Sequence, residues 1–155
     1  MIEELWIASE EGLDTESVTD IQVVAGSGIV GDRNFDKSKW PGQNITFIES
    51  ETIIRFNSEY DQNISFAAVR RNVVTKCIDL NSLLNKEFSI GDARFRGVEL
   101  CEPCKYLGEL LENETISCDQ VVKAFVHCGG LRADVIQGGN LSTGMSFDLH
   151  PGEHL

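Results

Sequence analysis

The segment EFSIGDARFRGVEL, residues 87–100, is the stretch that decides the fold class. Two strand-like runs, residues 87–90 and 93–100, flank the dipeptide Gly91-Asp92. A glycine–aspartate pair between two such runs is typical of a tight turn between antiparallel strands. The sequence therefore predicts a β-hairpin here, and the segment CEPC, residues 101–104, follows it directly.

Short strand-like runs and glycine turns continue on both sides of this hairpin. Runs rich in β-branched and aromatic residues predict further strands at residues 5–8, 21–25, 45–48, 133–137 and 145–149. Helices are predicted at residues 51–56, from Cys104 to about Leu111, and after Ser117, which forms a capping-box pattern with Gln120. Many short strands with few short helices indicate a β-rich α+β fold. We expect a partly closed β-barrel, because closure removes exposed strand edges.

Composition narrows the classes of partner and compartment. The 155 residues carry a net charge of −12, which disfavours nucleic acid as a partner. No apolar run approaches the roughly 20 residues that span a bilayer, so no membrane association is expected. The acidic start MIEEL is unlike a signal peptide, and we expect a cytoplasmic protein that forms one domain over residues 1–155.

The five cysteines are Cys77, Cys101, Cys104, Cys118 and Cys128. An odd number without an export signal argues against a structural disulfide framework. Pro103 suits the first turn of a helix, so Cys104 is expected in that turn, where the helix dipole favours a reactive thiolate. The alternative for Cys104 is a small, buried apolar residue under the helix.

Two other interpretations of the Cys101/Cys104 pair stay open. A C-x-x-C pair can cycle through a disulfide, which would make this a thiol-redox protein. The pair could also bind zinc together with Cys118, His127 or Cys128.

The adjacent Arg70 and Arg71 lie between apolar runs, where one of them must point towards the interior. An inward arginine favours a planar anionic partner such as a carboxylate or phosphate, and Asn72 could hydrogen-bond a heterocycle edge. Asp32 follows a glycine-rich turn, and one interpretation is that it stabilises this turn by pairing with Arg33.

In order and spacing, several short motifs resemble MOSC domains, the family named for the C-terminal domain of molybdenum cofactor sulfurase. The resemblance extends from Gly28 to Phe147 and rests on the following segments: Gly28-Ile-Val-Gly-Asp32, Arg71-Asn72, Ile90-Gly-Asp-Ala93, Pro103-Cys104, Gly129-Gly-Leu-Arg-Ala133, and Val135 followed by Gly139. It implies a β-rich, barrel-like domain with a few helices.

The resemblance also implies a pocket for molybdenum cofactor (Mo-molybdopterin) or a related pterin. Cys104 matches the reactive cysteine, which would carry sulfur as a persulfide or ligate molybdenum. Arg71 and Asn72 match a segment that helps to bind the phosphate and pterin of the cofactor, and Arg132 matches a basic position near the cysteine. Further cofactor contacts are expected from Arg70, which would add positive charge, and from Asp32 in the Gly-Asp turn.

This chain departs from the family pattern at Cys101, where a basic residue is common, and at Gly144-Met145, where a Gly-Asp turn is usual. We expect this domain alone, without the pyridoxal-phosphate lyase domain of the full sulfurase or the electron-transfer domain of some reductases. A separate sulfur donor or electron-transfer protein is therefore the expected partner. The alternative is a non-catalytic cofactor carrier or interaction module.

Overall fold

The computed structural model describes residues 1–150, and residues 151–155 of the predicted domain lie outside the described part. Its strands are β1 (Ile2–Ile7), β2 (Glu16–Val18), β3 (Asp20–Val24), β4 (Gly28–Ile29), β5 (Ile45–Glu49), β6 (Val73–Thr75), β7 (Glu87–Ile90), β8 (Ala93–Leu100), β9 (Leu131–Gln137), β10 (Gly139–Ser142) and β11 (Phe147–Leu149). The α-helices are α1 (Ser50–Glu59), α2 (Lys105–Leu111) and α3 (Cys118–Phe125), and short 3-10 helices cover Phe66–Val69 and Leu80–Leu83.

The strands form two sheets, so the predicted β-rich α+β class is confirmed. The larger sheet has the order β11-β7-β8-β9-β5-β6-β1-β2, and the smaller has the order β10-β3-β4. Over residues 1–150 the end strands of the larger sheet, β11 and β2, are not paired with each other, so closure into a barrel is not confirmed. Each of these edge strands is only three residues long, and short edge strands limit edge-to-edge association without closure.

The hairpin predicted from residues 87–100 is confirmed. β7 and β8 pair antiparallel, with Ile90 opposite Ala93 and Glu87 opposite Arg96. Gly91 occupies the turn with a positive φ of 57°, a conformation that glycine adopts without a steric penalty.

β5 is buried on both faces and separates two hydrophobic cores. Phe47 belongs to the core on one face of the larger sheet, where the aromatic rings of Phe88 and Phe95 contact it edge-on. The next residue, Ile48, points to the other face and packs with residues of the helices. The continuous apolar run of β5 therefore reflects a strand that is covered on both sides.

Strand register places several polar residues in one row across the helix-bearing face of this sheet. Arg132 on β9 pairs with Thr46 on β5 and with Glu99 on β8. Phe47 and Val73 are partners in the parallel β5/β6 pair, so the preceding residues Thr46 and Asn72 are also neighbours. Neighbouring strands lie about 4.8 Å apart, which keeps Arg132 and Asn72 within about 10 Å along this row.

Three local predictions need correction. Cys104 is the N-cap of α2 with extended backbone angles (φ −122°, ψ 171°), so Pro103 precedes the cap and neither residue lies in the first turn. Residues 139–142, between the predicted strands 133–137 and 145–149, form the additional strand β10, which pairs with β3. Residues 16–18, between the predicted strands 5–8 and 21–25, form the additional strand β2, which pairs with β1. Both missed strands are fixed by pairing with distant parts of the chain rather than by local pattern.

The capping box of α3 is confirmed, since the Ser117 side chain accepts the Gln120 N–H and the Gln120 side chain accepts the Ser117 N–H. Over residues 1–150, no helix combines the length and apolar character that crossing a membrane requires.

The position of Gly130 gives a prediction about stability. A Cβ at Gly130 would collide with the Phe47 carbonyl oxygen, whereas one at Gly144 would meet open space. Both residues have positive φ, 108° and 86°, so an L-residue costs about 1–2 kcal/mol at either position. We expect Gly130→Ala to lower the free energy of unfolding by about 1–3 kcal/mol more than Gly144→Ala, because only Gly130→Ala adds a steric clash. Urea denaturation of both variants measures this difference, and equal losses would contradict the close approach.

Candidate functional site

The CEPC segment connects the end of β8 to α2 and is held against the loop that precedes β9. The Cys101 N–H donates to the Gly130 carbonyl at 2.7 Å. The carbonyl oxygen of Cys101 lies so close to Gly129 that a Cβ on Gly129 would collide with it. The contact between these two segments therefore requires glycine at position 129.

Glu102 adds a side-chain contact between the same two segments. Its carboxylate accepts the His127 backbone N–H at 3.2 Å and lies 3.0 Å from His127 Nδ1. Hydrogen bonding from the His127 side chain and backbone lowers the pKa of Glu102. The ionised carboxylate thus helps to keep the CEPC segment in place.

Cys104 and Cys101 differ in their exposure to solvent. Cys104 is exposed, and its side chain accepts no capping hydrogen bond from α2. The expected stabilisation of a thiolate by the helix N–H groups is therefore not seen, and α2 has only seven residues. Cys101 is 1% exposed. Solvent-borne reagents can reach Cys104 directly, and they cannot reach Cys101 in this conformation.

Arg71 and Arg132 are the two cationic residues that act electrostatically on Cys101. Arg71 Nε donates to the Gly129 carbonyl at 3.1 Å, and Arg132 Nε lies 3.5 Å from the Glu99 carboxylate. Burial raises the pKa of the Cys101 thiol, and the positive charges of Arg71 and Arg132 oppose that rise. The structure therefore brings these two arginines together around the base of the CEPC segment.

A small polar pocket of about 100 Å³ adjoins Arg132 on the helix-bearing face of the sheet. Its lining residues include two cations and no carboxylate: Asn34, Lys37, Ser38, Gln43, Ile45, Thr46, Asn72 and Arg132. A pocket with this lining suits a small anion. Sequence reasoning missed Lys37, although Lys37 and Lys39 are the only lysines in the first 75 residues.

The other predicted site residues lie apart from this centre or have structural partners. Arg70 has left-handed backbone angles and lines a separate depression with Asp14 and Leu110. Asp32 is buried, accepts the Ala8 and Asn34 N–H groups, and lies 3.7 Å from Arg33, in agreement with the turn-stabilising alternative.

Asn72 lines the anion pocket, but its side chain is engaged with neighbouring strands. Its Oδ1 accepts both the Thr46 N–H and the Thr46 hydroxyl, and its Nδ2 donates to the Trp6 carbonyl. Asn72 therefore joins β6 to β5 and to β1. This network supports the pocket wall whether or not the amide also contacts a ligand.

The remaining cysteines do not assemble with the CEPC segment. Cys118 Sγ lies near the Lys105 carbonyl and against Gly108, between α2 and α3. Cys128 Sγ accepts a hydrogen bond from Arg55 at 3.2 Å. Within residues 1–150, no three His, Cys, Asp or Glu side chains are grouped so as to hold a metal ion, so the zinc alternative finds no support.

Together these features define a β-rich α+β domain with an exposed thiol at Cys104, two arginines around Cys101 at the base of the same segment, and a cationic pocket at Arg132. The family model described as MOSC domain matches residues 34–148, which is more than half of the chain. The chain belongs to the MOSC domain family. Asp32 lies just outside the matched range.

Two solved structures share the fold at low sequence identity. The YuaD protein from Bacillus subtilis has a TM-score of 0.83 at 18% identity, over 98% of this chain and 96% of that chain. YiiM from Geobacillus stearothermophilus has a TM-score of 0.75 at 16% identity, over 97% of this chain and 74% of that chain. No curated protein matches the sequence. The likeness to YuaD and YiiM shows the fold alone.

The difference in exposure between the two cysteines gives a labelling prediction. Iodoacetamide applied to the native protein is expected to modify Cys104 and to leave Cys101 unmodified until urea unfolds the chain. Tandem mass spectrometry of the tryptic peptide 97–105, which contains both residues, distinguishes them. The exposed Cys77 serves as an internal reference for the labelling rate. Native labelling of Cys101 at the rate of Cys104 would contradict the burial described above.

The hydrogen bonds of Asn72 give a second prediction. Asn72→Ala leaves the Thr46 N–H without its partner, so we expect a loss of about 1–3 kcal/mol in the free energy of unfolding. Asn34→Ala alters an exposed residue of the same pocket and should change this free energy by less than about 0.5 kcal/mol. Urea denaturation compares the two variants. Equal effects would show that Asn72 does not support the sheet.

Proposed function

We propose that this chain binds molybdenum cofactor and that Cys104 carries sulfur to the bound cofactor as a persulfide. The observation that carries this proposal is that Arg71 contacts the Gly129 carbonyl and Arg132 contacts Glu99, on the two segments that meet at the base of the loop exposing Cys104. Membership of the MOSC domain family supports the choice of cofactor.

The donor set of the site is compatible with this cofactor. The cofactor carries negative charge on its phosphate and its dithiolene. Arg132 and Lys37 line a pocket without carboxylates, which suits the phosphate, and Arg71 adds a further positive charge nearby. The bound cofactor would supply a molybdenum centre that accepts sulfur, and Cys104 would supply the thiol that carries it.

In this function the residues have separate roles. Arg71 and Arg132 neutralise the negative charge of the ligand, and Arg71 is held in position by the Gly129 carbonyl. Cys104 accepts sulfur because it is exposed to a donor, and its side chain is free of capping contacts. A persulfide-bearing donor, R–S–SH, gives R–S⁻ and Cys104–S–SH when the Cys104 thiolate attacks the terminal sulfur.

Reconstitution with isolated molybdenum cofactor tests the proposal. The purified chain is incubated anaerobically with the cofactor and desalted, and retained pterin is measured by fluorescence after oxidation, with molybdenum measured by mass spectrometry. We expect Arg132→Ala to weaken retention roughly tenfold to a hundredfold, because a hydrogen bond to a charged group contributes about 1.5–3 kcal/mol. Cys104→Ser should retain the pterin and lose the persulfide.

Arg94→Ala is the matched control for Arg132→Ala. Arg94 has a similar side-chain exposure, 46% against 41%, and its Nε lies at a similar distance from a glutamate, 3.6 Å against 3.5 Å. It should leave retention unchanged. A wild-type chain that retains no pterin would refute cofactor binding, and an equal loss in both arginine variants would refute the assigned site. Loss of molybdenum with the pterin retained in Cys104→Ser would instead identify Cys104 as a metal ligand.

A further inference from the structure

Cys101 is a buried thiol for which the proposed function has no use. Its backbone is fixed, because its N–H donates to Gly130 and its carbonyl packs against Gly129. Its side chain is 1% exposed, so a bulky sulfur donor cannot reach it. A group carried on the nearby Cys104 is a reagent that the chain itself can bring to Cys101.

The separation of the two cysteines along the chain permits this approach. Three residues of chain keep their Cα atoms within about 11 Å of each other in any conformation. A disulfide requires a Cα separation of about 4.4–6.8 Å. Cys101 is held by the loop before β9, whereas the Cys104 side chain is exposed and lacks a capping bond, so we expect Cys104 to make any movement that brings the two sulfur atoms together.

Burial raises the pKa of the Cys101 thiol, the guanidinium groups of Arg71 and Arg132 offset part of that rise, and the carboxylates of Glu99 and Glu102 add to it. Arg71 and Arg132 both act on the Cys101 thiol in the direction that stabilises its thiolate. The same two guanidinium groups would stabilise an anionic leaving group released beside Cys101. A buried cysteine in wholly apolar surroundings would lack both effects.

We propose that Cys101 is the resolving thiol that releases sulfur from Cys104. This proposal rests on the proposed function, because it requires a persulfide on Cys104. The Cys101 thiolate attacks the inner sulfur of Cys104–S–SH, a Cys101–Cys104 disulfide forms, and the terminal sulfur leaves as hydrosulfide, HS⁻. The persulfide supplies the oxidising equivalent, so this step needs no other oxidant.

The released hydrosulfide is then the form of sulfur that the acceptor would receive. An external dithiol must restore the two thiols, and that dithiol becomes a disulfide in exchange. The chain would therefore depend on two partners of different chemistry, a persulfide donor and a dithiol reductant.

The test follows sulfur and disulfide together on the full chain, without cofactor. Reduced protein is loaded anaerobically with inorganic polysulfide and desalted. Sulfide release is measured with a bimane reagent, and the tryptic peptide 97–105 is measured by mass spectrometry. In the wild-type chain we expect one sulfide for each persulfide lost, with the peptide ending as an internal disulfide that has two hydrogen atoms fewer.

Cys101→Ser should keep the Cys104 persulfide roughly tenfold longer or more, because it removes the intramolecular attacking group. Cys101→Ala provides the same comparison if serine is not tolerated at this buried position. Cys77→Ser, which removes an exposed cysteine elsewhere, should behave as the wild type. Equal persulfide lifetimes in the wild-type and Cys101 variants, or sulfide release without the disulfide, would overturn the role of Cys101 alone. A wild-type chain whose Cys104 takes up no sulfur would overturn sulfur carriage itself, and the role of Cys101 with it.

Discussion

The pairing of β5 with both β9 and β6 is the constraint on which the rest of the structure depends. It sets Arg132, Thr46 and Asn72 side by side in one row of the sheet. The hydrogen bonds of the Asn72 side chain hold this row, since they join its strand to β5 and β1. A shift of one residue in this register would turn Arg132 and Asn72 to the opposite face and place charge in the aromatic core.

Local pattern was sufficient for the elements that depend on neighbouring residues. The hairpin around Gly91 and the capping box at Ser117 were predicted because the signal for each lies within one short, continuous stretch of sequence. β10 was missed because its existence depends on pairing with β3, more than a hundred residues earlier in the chain. The expected barrel closure likewise concerned contacts between distant strands, which local periodicity does not encode.

The residues of the candidate site were also predicted only in part, because some of them are brought together from distant parts of the chain. The sequence identified Arg70 and Arg71 as a pair but could not separate them, whereas the left-handed backbone of Arg70 directs the two residues to different surroundings. Lys37 joins Arg132 in one pocket only after the loop following β4 folds across β9, where the Gly42 N–H donates to Asp134. Its distance of ninety-five residues from Arg132 explains why no motif indicated it.

One close backbone contact, between Gly129 and Cys101, gives the two cysteines of the CEPC segment different exposure to solvent. Because Gly129 has no Cβ, the loop before β9 can lie directly against Cys101 and cover it, while three residues further on Cys104 stays exposed. If Cys101 were also exposed, the thiols of Cys101 and Cys104 would compete for the same sulfur donor. With Cys101 covered, a donor reaches Cys104 first of the two, and the proposed attack by Cys101 follows. The order of the two steps is then imposed by burial, with no requirement for a difference in the intrinsic reactivity of the thiols.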